Sequence, residues 1–421
     1  MFAELTPELL ATPEGAEAQR ILRACVHCGF CLATCPTYQL LGDELDSPRG
    51  RIYLMKGMFE GQPVSGLTQH HLDRCLTCRA CESTCPSGVQ YGKLVDIGRH
   101  YLEQRQPRSR QDQFKRSALK TVLTTPWLFK FLLGAGRLVR PFLPEALRHK
   151  LPLPQTAGLL PRARHSRRML VLEGCVQPDL APNINAAAAR VLDRLGISVF
   201  SAPKAGCCGA LAHHLSDESA AHQAMKRNID AWWPHVTQGV EAILMTASGC
   251  GTQVKDYGYQ LRNDPQYAER ASQISALTRD LSEVLLKELE GTPEERRLFL
   301  QSLGLRSPLP AARIAFHAPC TLQHGQQLKG VVEQLLTAAG AQLTPVPEAH
   351  LCCGSAGTYS LLQPELSHRL QVNKLKALTS GHPELILTAN IGCLTHLAAG
   401  SSTPVRHWVE WLDTCLAPHG A

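Results

Sequence analysis

The stretch CVHCGFCLATCP spaces Cys25, Cys28, Cys31 and Cys35 as C-x2-C-x2-C-x3-C and closes with Pro36. CLTCRACESTCP repeats the pattern at Cys75, Cys78, Cys81 and Cys85, closing with Pro86. Thiolates are soft ligands, and C-x2-C-x2-C wraps three corners of a compact iron–sulfur cube within two tight turns. The fourth cysteine, three residues on and before proline, cannot easily reach the same cube. In paired runs of this kind it ligates the other cluster. The assignment is therefore crossed. One [4Fe–4S] cluster takes Cys25, Cys28, Cys31 and Cys85, and the second takes Cys75, Cys78, Cys81 and Cys35. Structural zinc is the competing chemistry, but zinc ribbons favour two separated C-x2-C pairs, not four cysteines so close together. Gly29 and Gly88 are expected to serve turns. His27 reads as a solvent-facing spacer rather than a ligand.

Eight further cysteines fall into two matched sets. MLVLEGCVQP carries Cys175, APKAGCCG carries Cys207 and Cys208, and AILMTASGCG carries Cys250. RIAFHAPC carries Cys320, HLCCG carries Cys352 and Cys353, and LILTANIGC carries Cys393. The first interval is 32 residues in both sets and the last is 42 and 40, so the two are copies of one unit. Two neighbouring thiolates on a turn chelate metal well, whereas adjacent cysteines do not easily form an unstrained disulfide. Another iron–sulfur centre, zinc, and redox thiols all remain open for these sites. Duplication argues against a packing role alone. His317 and His396 could support or supplement the second set, although a structural role is favoured for each. Cys415 has no counterpart and reads as an ordinary thiol.

The elements that must position these residues follow from patterning. Each copy reads strand–helix–strand–helix–strand. Short unalternating runs such as MLVL, ISVF and AILM suit parallel strands buried on both faces. NAAAARVLDRLG and GVVEQLLTAAG carry helical periodicity ending at glycine. Every cysteine of the copies then lies just beyond a strand's C-terminal end, where open α/β sheets form ligand sites.

At 421 residues the chain exceeds one comfortable core. Four regions separate: 1–98, a two-[4Fe–4S] ferredoxin-type domain; 99–168, a basic amphipathic connector; 169–310, the first α/β unit; and 311–421, the second. The fold class expected is multi-domain α and α/β, a helical two-cluster ferredoxin domain followed by two tandem Rossmann-like units packed face to face. Composition shows no disordered or collagen-like bias. MFAELTPELLATPEGAEAQR has no basic n-region or apolar h-region, so it does not read as a secretory signal, and the thiols are expected to stay reduced. No run approaches the 18 apolar residues of a membrane span; WLFKFLLGAG is short and broken by Lys130. The formal charge of +7 is concentrated: residues 99–168 hold 16 Lys/Arg against three acidic residues, a local +13. No G-x-G-x-x-G loop or P-loop follows a strand, so a flavin, if needed, is expected on a partner.

The chain resembles a known family. Two ferredoxin runs followed by two CCG units occur in the glycolate oxidase iron–sulfur subunit, the C subunit of anaerobic glycerol-3-phosphate dehydrogenase, and relatives of heterodisulfide reductase. The strings ILRACVHCGFCLATCPTYQLLGDELDSPRGRIYLMK, HLDRCLTCRACESTCPSGVQYG, NIDAWWP, TASGCG, HLCCGSAGTY and TANIGC resemble the glycolate oxidase subunits specifically. The likeness is weakest in 99–168. It implies a multi-subunit dehydrogenase whose flavin-bearing partners oxidise glycolate to glyoxylate, with D-lactate a related substrate. Electrons then leave through this subunit toward a membrane acceptor such as quinone. The heterodisulfide reductase pattern adds a cysteine at the positions of Gln253 and His396, so a five-thiolate centre is incomplete here.

Three functions compete. The first is a relay subunit with two [4Fe–4S] clusters, no substrate site of its own, and FAD on partners only. The second is an enzyme reducing disulfide or quinone at the CCG units, its disulfide version disfavoured by the missing fifth ligands. The third is a nucleic-acid binder suggested by the basic segment, disfavoured because Trp127, Phe129, Phe131, Leu132 and Leu133 interleave with its charges and no recognition motif accompanies them. The expectation is the relay, cytoplasmic and peripheral on the inner face of the cytoplasmic membrane. The connector is expected either to dock domains or a partner, or to meet anionic lipid.

Overall fold

The computed structural model describes residues 1–142, 153–162, 164–302, 304 and 312–416. The chain forms two compact units. The first comprises Met1–Ser117, His214–Ser216 and His350–Lys374; the second comprises Ala118–His213, Asp217–Ala349 and Leu375–Ala421.

The first unit is helical. Thr12 caps the helix Pro13–Ala24 by accepting from Gly15 N at 3.0 Å, with proline at the first helical position. Ala18, Ile21 and Leu22 form its apolar stripe and pack against the helix Tyr91–Arg105, which buries Leu94, Val95 and Leu102. A third helix, Pro48–Phe59, capped by Ser47, adds Ile52, Met55 and Phe59. Phe59 meets Tyr101 edge-on at 5.2 Å between centroids. This core carries the two cysteine runs as irregular loops at its edge. Helix Tyr91–Arg105 runs across position 98, so its C-terminal turn belongs to the same body as the runs.

The second unit holds two all-parallel four-stranded sheets. β1 (Arg167–Val171), β2 (Ile197–Phe200), β3 (Ala242–Met245) and β4 (Thr278–Asp280) run in the order β2-β1-β3-β4. β5 (Arg313–His317), β6 (Gln342–Leu343), β7 (Leu385–Thr388) and β8 (Val405–His407) run β6-β5-β7-β8. The repeat is thus a doubly wound motif with one strand more than the sequence suggests. β4 and β8 are only three residues long and lack an apolar run, which hides them. Each feeds a helix through a capping box, Asp280–Glu283 for Leu281–Glu288 and His407–Glu410 for Trp408–Cys415.

The copies share one apolar core. Met169, Val171 and Leu244 belong to it with Ile314, Phe316 and Leu387. The helix after β1, Asn183–Arg194, packs on Trp408–Cys415, while Leu281–Glu288 packs on the helix after β5, Val331–Ala338. Each copy therefore offers the same two helices to the other, the self-complementary arrangement of a twofold dimer built into one chain. Ala187 and Ala188 on Asn183–Arg194 allow a close approach. Arg190 then reaches Asp413 with both Nε and Nη2, the latter at 2.7 Å.

No single described helix is long and apolar enough to cross a membrane; Arg110–Thr124 and Pro126–Phe142, bent by 97°, reach that composition only as a pair. Charges of the connector are partly consumed internally. Arg108 and Arg116 both reach Asp73, and Lys120 reaches Asp217.

Candidate metal centres

Each cysteine run folds around one point because its backbone turns left-handed at the same two offsets. These residues are His27 and Gly29 (φ 55° and 84°) in the first run and Thr77 and Arg79 (φ 54° and 60°) in the second. For a residue with a Cβ this conformation costs about 1–2 kcal/mol, a strain typical of functional loops. Gly29 and Gly88 both have positive φ, as their turn role requires. His27 is half-buried rather than solvent-facing: its Nε2 lies 2.8 Å from Met1 Sδ, because the N-terminus folds back to donate to Cys25 O at 2.7 Å.

Cys25, Cys28, Cys31 and Cys85 line one small open cavity, with Cys81 also on its wall. Cys35, Cys75, Cys78 and Cys81 line a second, and the two share Pro48, Cys81 and Tyr91. Each cavity thus gathers three thiols of one run and the last thiol of the other. The donors suit iron. Burial and then the charge of Cys25 push Cys31 up to about 11, and burial with Cys78 and Cys75 pushes Cys81 well above the usual thiol range. Four crowded thiols ionise together only when cations offset their mutual repulsion. Hydrogen bonds to sulfur are present: Thr77 N donates to Cys75 Sγ at 3.5 Å and Tyr91 Oη at 3.7 Å.

The sequence gives little notice of a buried charge network behind the second cavity. Arg51 donates to His71 O (2.7 Å), Thr37 Oγ1 (3.1 Å) and Asp46 Oδ1 (3.2 Å). Asp46 also accepts from Arg74 Nη1 at 2.7 Å and lies 3.1 Å from His71 Nδ1. Thr37 Oγ1 donates to Asp46 O and sits 3.3 Å from Cys35 Sγ. Arg99 grips the other side, donating to Leu72 O and Cys75 O at 2.8 and 2.7 Å. These arginines fix the loops bearing Cys35 and Cys75. Their signal is positional: Arg51 falls on the apolar stripe with Ile52, Met55 and Phe59, where a charge needs a buried partner.

In the second unit Cys175, Cys207, Cys208 and Cys250 converge beyond the ends of β1, β2 and β3. Cys207 accepts hydrogen bonds from Cys175 and Cys208, and Cys208 also bonds Cys250. Those bonds, with Gly209 N–H and Arg227, hold the Cys207 thiol well below its ordinary range, while its neighbours are raised. Asn228 Nδ2 donates to Cys207 O at 3.0 Å and Tyr257 Oη to Cys208 O at 2.8 Å, fixing the double-cysteine turn. Gly209 has φ +90°, and a Cβ there would stand 3.0 Å from Ala221 O. Gly354 repeats this at φ +91° and 2.6 Å from Ser367 O, so the glycine of each CCG is dictated by the helix crossing beneath it.

The second set is distributed. Cys320 and Cys393 are buried in the second unit; Cys352 and Cys353 are buried in the first. Gly354 N donates to Cys352 Sγ at 3.4 Å, matching Gly209 on Cys207 at 3.5 Å, and Asn390 Nδ2 donates to Cys393 Sγ at 3.6 Å. His317 is buried at the end of β5 and His396 half-buried. Gln253 is buried and its Nε2 makes no hydrogen bond. Cys415 packs in the shared core, its thiol pushed up to about 12 by burial.

The 4Fe-4S dicluster domain matches residues 21–89, and the Cysteine-rich domain matches 169–255 and 314–398. Over 418 residues the chain is 54% identical to the glycolate oxidase iron-sulfur subunit of Escherichia coli (strain K12), covering 99% of each. The chain belongs to the glycolate oxidase iron–sulfur subunit family. Within it, the probable glycolate oxidase iron-sulfur subunit of Bacillus subtilis (strain 168) is 29% identical over 406 residues, 89% of this chain and 88% of that one. Lactate utilization protein A of Geobacillus thermodenitrificans (strain NG80-2) is 25% identical over 237 residues, 55% of this chain and 92% of that protein. The family's dicluster domain coincides with the helical unit's paired runs, and its cysteine-rich domain with the duplicated sheets.

Proposed function

We propose that the chain is the electron-relay subunit of a multi-subunit, flavin-linked 2-hydroxy-acid dehydrogenase. Its substrate is glycolate, oxidised to glyoxylate on partner subunits that carry FAD, with D-lactate a related substrate. Electrons pass through two [4Fe–4S] clusters to a membrane acceptor such as quinone, and this chain contributes no substrate-oxidising site. The observation that carries the reading is the pair of cavities sharing Cys81 and Tyr91, each lined by three cysteines of one run and the last of the other. Cys25, Cys28, Cys31 and Cys85 would hold the first cluster, and Cys35, Cys75, Cys78 and Cys81 the second. Such clusters supply one-electron carriage at potentials set by burial and hydrogen bonds to sulfur. The chain's own part is to fix the thiols, through Arg51 and Arg99, and to exclude water, through Tyr91 and Pro48.

Cys175, Cys207, Cys208 and Cys250 form a compact four-thiol set suited to a further iron–sulfur or zinc centre; Cys320, Cys352, Cys353 and Cys393 occupy the matching sequence positions of the second copy. A peripheral position on the cytoplasmic face of the membrane fits the helix Pro126–Val139. Its Leu133 is buried and Arg137 donates to Asp179 O, while Trp127, Phe131 and Leu138 point outward at 71, 67 and 79% exposure. An apolar outward stripe beside Lys130 and Arg140 matches a surface of anionic headgroups over acyl chains.

Replacing Cys31 by serine tests the relay. Substrate-to-quinone electron flow should be abolished while flavin reduction on the partner survives. Loss of flavin reduction in a fully assembled complex would show that the relay reading is wrong.

A further inference from the structure

Among the four thiols gathered beyond β1, β2 and β3, Cys250 is carried by the helix Ser248–Lys255. Its side chain bonds Cys208, which fixes what that face of the helix meets. The chain continues through Asp256 in helical conformation to Tyr257, which donates to Cys208 O at 2.8 Å. Gln253 stands between the two, three residues after Cys250 and four before Tyr257, a spacing that puts side chains side by side on one helical face. The opposite face is engaged elsewhere: Lys255 pairs with Glu283, and Thr252 Oγ1 donates to Thr321 O at 2.9 Å. Gln253 is therefore turned toward the double-cysteine turn.

Gln253 is 5% exposed, and its Nε2 makes no hydrogen bond. A buried amide donor without an acceptor costs stability, and native structures seldom keep one unless a bound group accepts it. The carbonyls of the turn are already served. Cys207 O accepts from Asn228 Nδ2 at 3.0 Å and Cys208 O from Tyr257. What the site offers an N–H beyond these is sulfur. The second copy places His396 three residues after Cys393, as Gln253 follows Cys250. The residue types differ, yet both side chains carry an N–H donor, so the position keeps a donor through the duplication.

Resting on the reading of these four thiols as a metal centre, we propose that Gln253 is a positioning residue of that centre. Its amide donates an N–H···S hydrogen bond to the thiolate set of Cys175, Cys207, Cys208 and Cys250. Thiolates grouped on one metal leave net negative charge, and a fixed donor beside them stabilises that charge and orients the sulfur. The amide ligates nothing itself.

The test uses the full chain, purified anaerobically, and reads metal rather than turnover. The Cys207→Ser, Cys208→Ser double variant identifies the metal: the iron or zinc it lacks relative to wild type belongs to this centre. Wild type, Gln253→Met, Gln253→Leu and Lys255→Met are then titrated with EDTA, with that metal and the circular dichroism followed together. Both Gln253 variants should release it at a chelator concentration at least about tenfold lower than wild type, the scale on which such partners of metal ligands act. Lys255→Met, which breaks the ion pair on the other face of the same helix, should release it as wild type does. Retention by either Gln253 variant as in wild type overturns the proposal. Equal release by Lys255→Met, or loss of folded structure in both Gln253 variants, also overturns it, since either marks a purely structural role. If the double variant lacks no metal, the four thiols hold none and the metal reading itself fails, a result distinct from metal that is present but indifferent to Gln253.

Discussion

Replacing Arg51 by methionine keeps most of the side chain's volume and removes one buried charge. Arg51 and Asp46 are 1 and 0% exposed, and Arg51 makes three hydrogen bonds, to His71 O, Thr37 Oγ1 and Asp46 Oδ1. Removing one partner of a buried ion pair costs about 3–5 kcal/mol, because the remaining charge loses its compensation. Asp46 keeps Arg74 and the adjacent His71, which places the expected loss near the lower end, about 3 kcal/mol. The damage is local to one cluster. Thr37 and the Asp46 carbonyl both face Cys35 Sγ, and His71 begins the approach to Cys75, so the set Cys35, Cys75, Cys78 and Cys81 loses its clamp while the set Cys25, Cys28, Cys31 and Cys85 keeps its own loop. Anaerobic urea unfolding should show the loss of stability, and iron per chain should fall by about four, one cluster's worth. The double variant with Asp46→Leu should recover part of the stability, the non-additivity expected within one network. A single variant that loses under about 1 kcal/mol and keeps all its iron would refute the clamp.

Other outcomes are equally specific. Cys85→Ser should perturb the spectroscopic signature of the cluster built on Cys25, Cys28 and Cys31, and Cys35→Ser that built on Cys75, Cys78 and Cys81; uncrossed effects would contradict the ligand sets. His407, buried and held down to about 4 by that burial, binds fewer protons folded than unfolded. Its contribution is therefore full above pH 6.5 and is lost as pH falls from 6.5 toward 4, by about 3 kcal/mol; His407→Gln should flatten that part of the stability–pH curve. Gly209→Ala and Gly354→Ala should each destabilise by at least about 1–2 kcal/mol from positive φ alone, with Gly354→Ala the worse because of its 2.6 Å approach to Ser367 O. Trp127→Glu with Phe131→Glu should abolish sedimentation with vesicles containing anionic lipid and leave the circular dichroism unchanged; equal binding to neutral vesicles would exclude the electrostatic component.

Much of this was legible in the residues. The spacing of the paired runs forces compact loops, and the 32-residue interval from Cys175 to Cys207 and from Cys320 to Cys352 exposes the duplication, because parallel strands with helical crossovers need a near-constant length. What stayed hidden depends on tertiary contact. β4 and β8 are stabilised by pairing with β3 and β7 rather than by an apolar run of their own. The clamp of Arg51 on His71 O and of Arg99 on Leu72 O joins residues 20 and 27 positions apart, beyond any local pattern. His27 is drawn inward by Met1, a contact that spacing between ligands does not reveal. Part of the basic charge after position 98 that reads as one surface is spent locally, Arg108 and Arg116 being paired with Asp73, Glu103 and Asp112.

The most direct measurement is iron and acid-labile sulfide per chain after strictly anaerobic purification, on wild type and on the Cys25→Ser, Cys75→Ser double variant. The account predicts at least about eight of each in wild type and a loss of about eight in the double variant. Wild-type protein that carries zinc in place of iron, or iron that survives both substitutions, would contradict it.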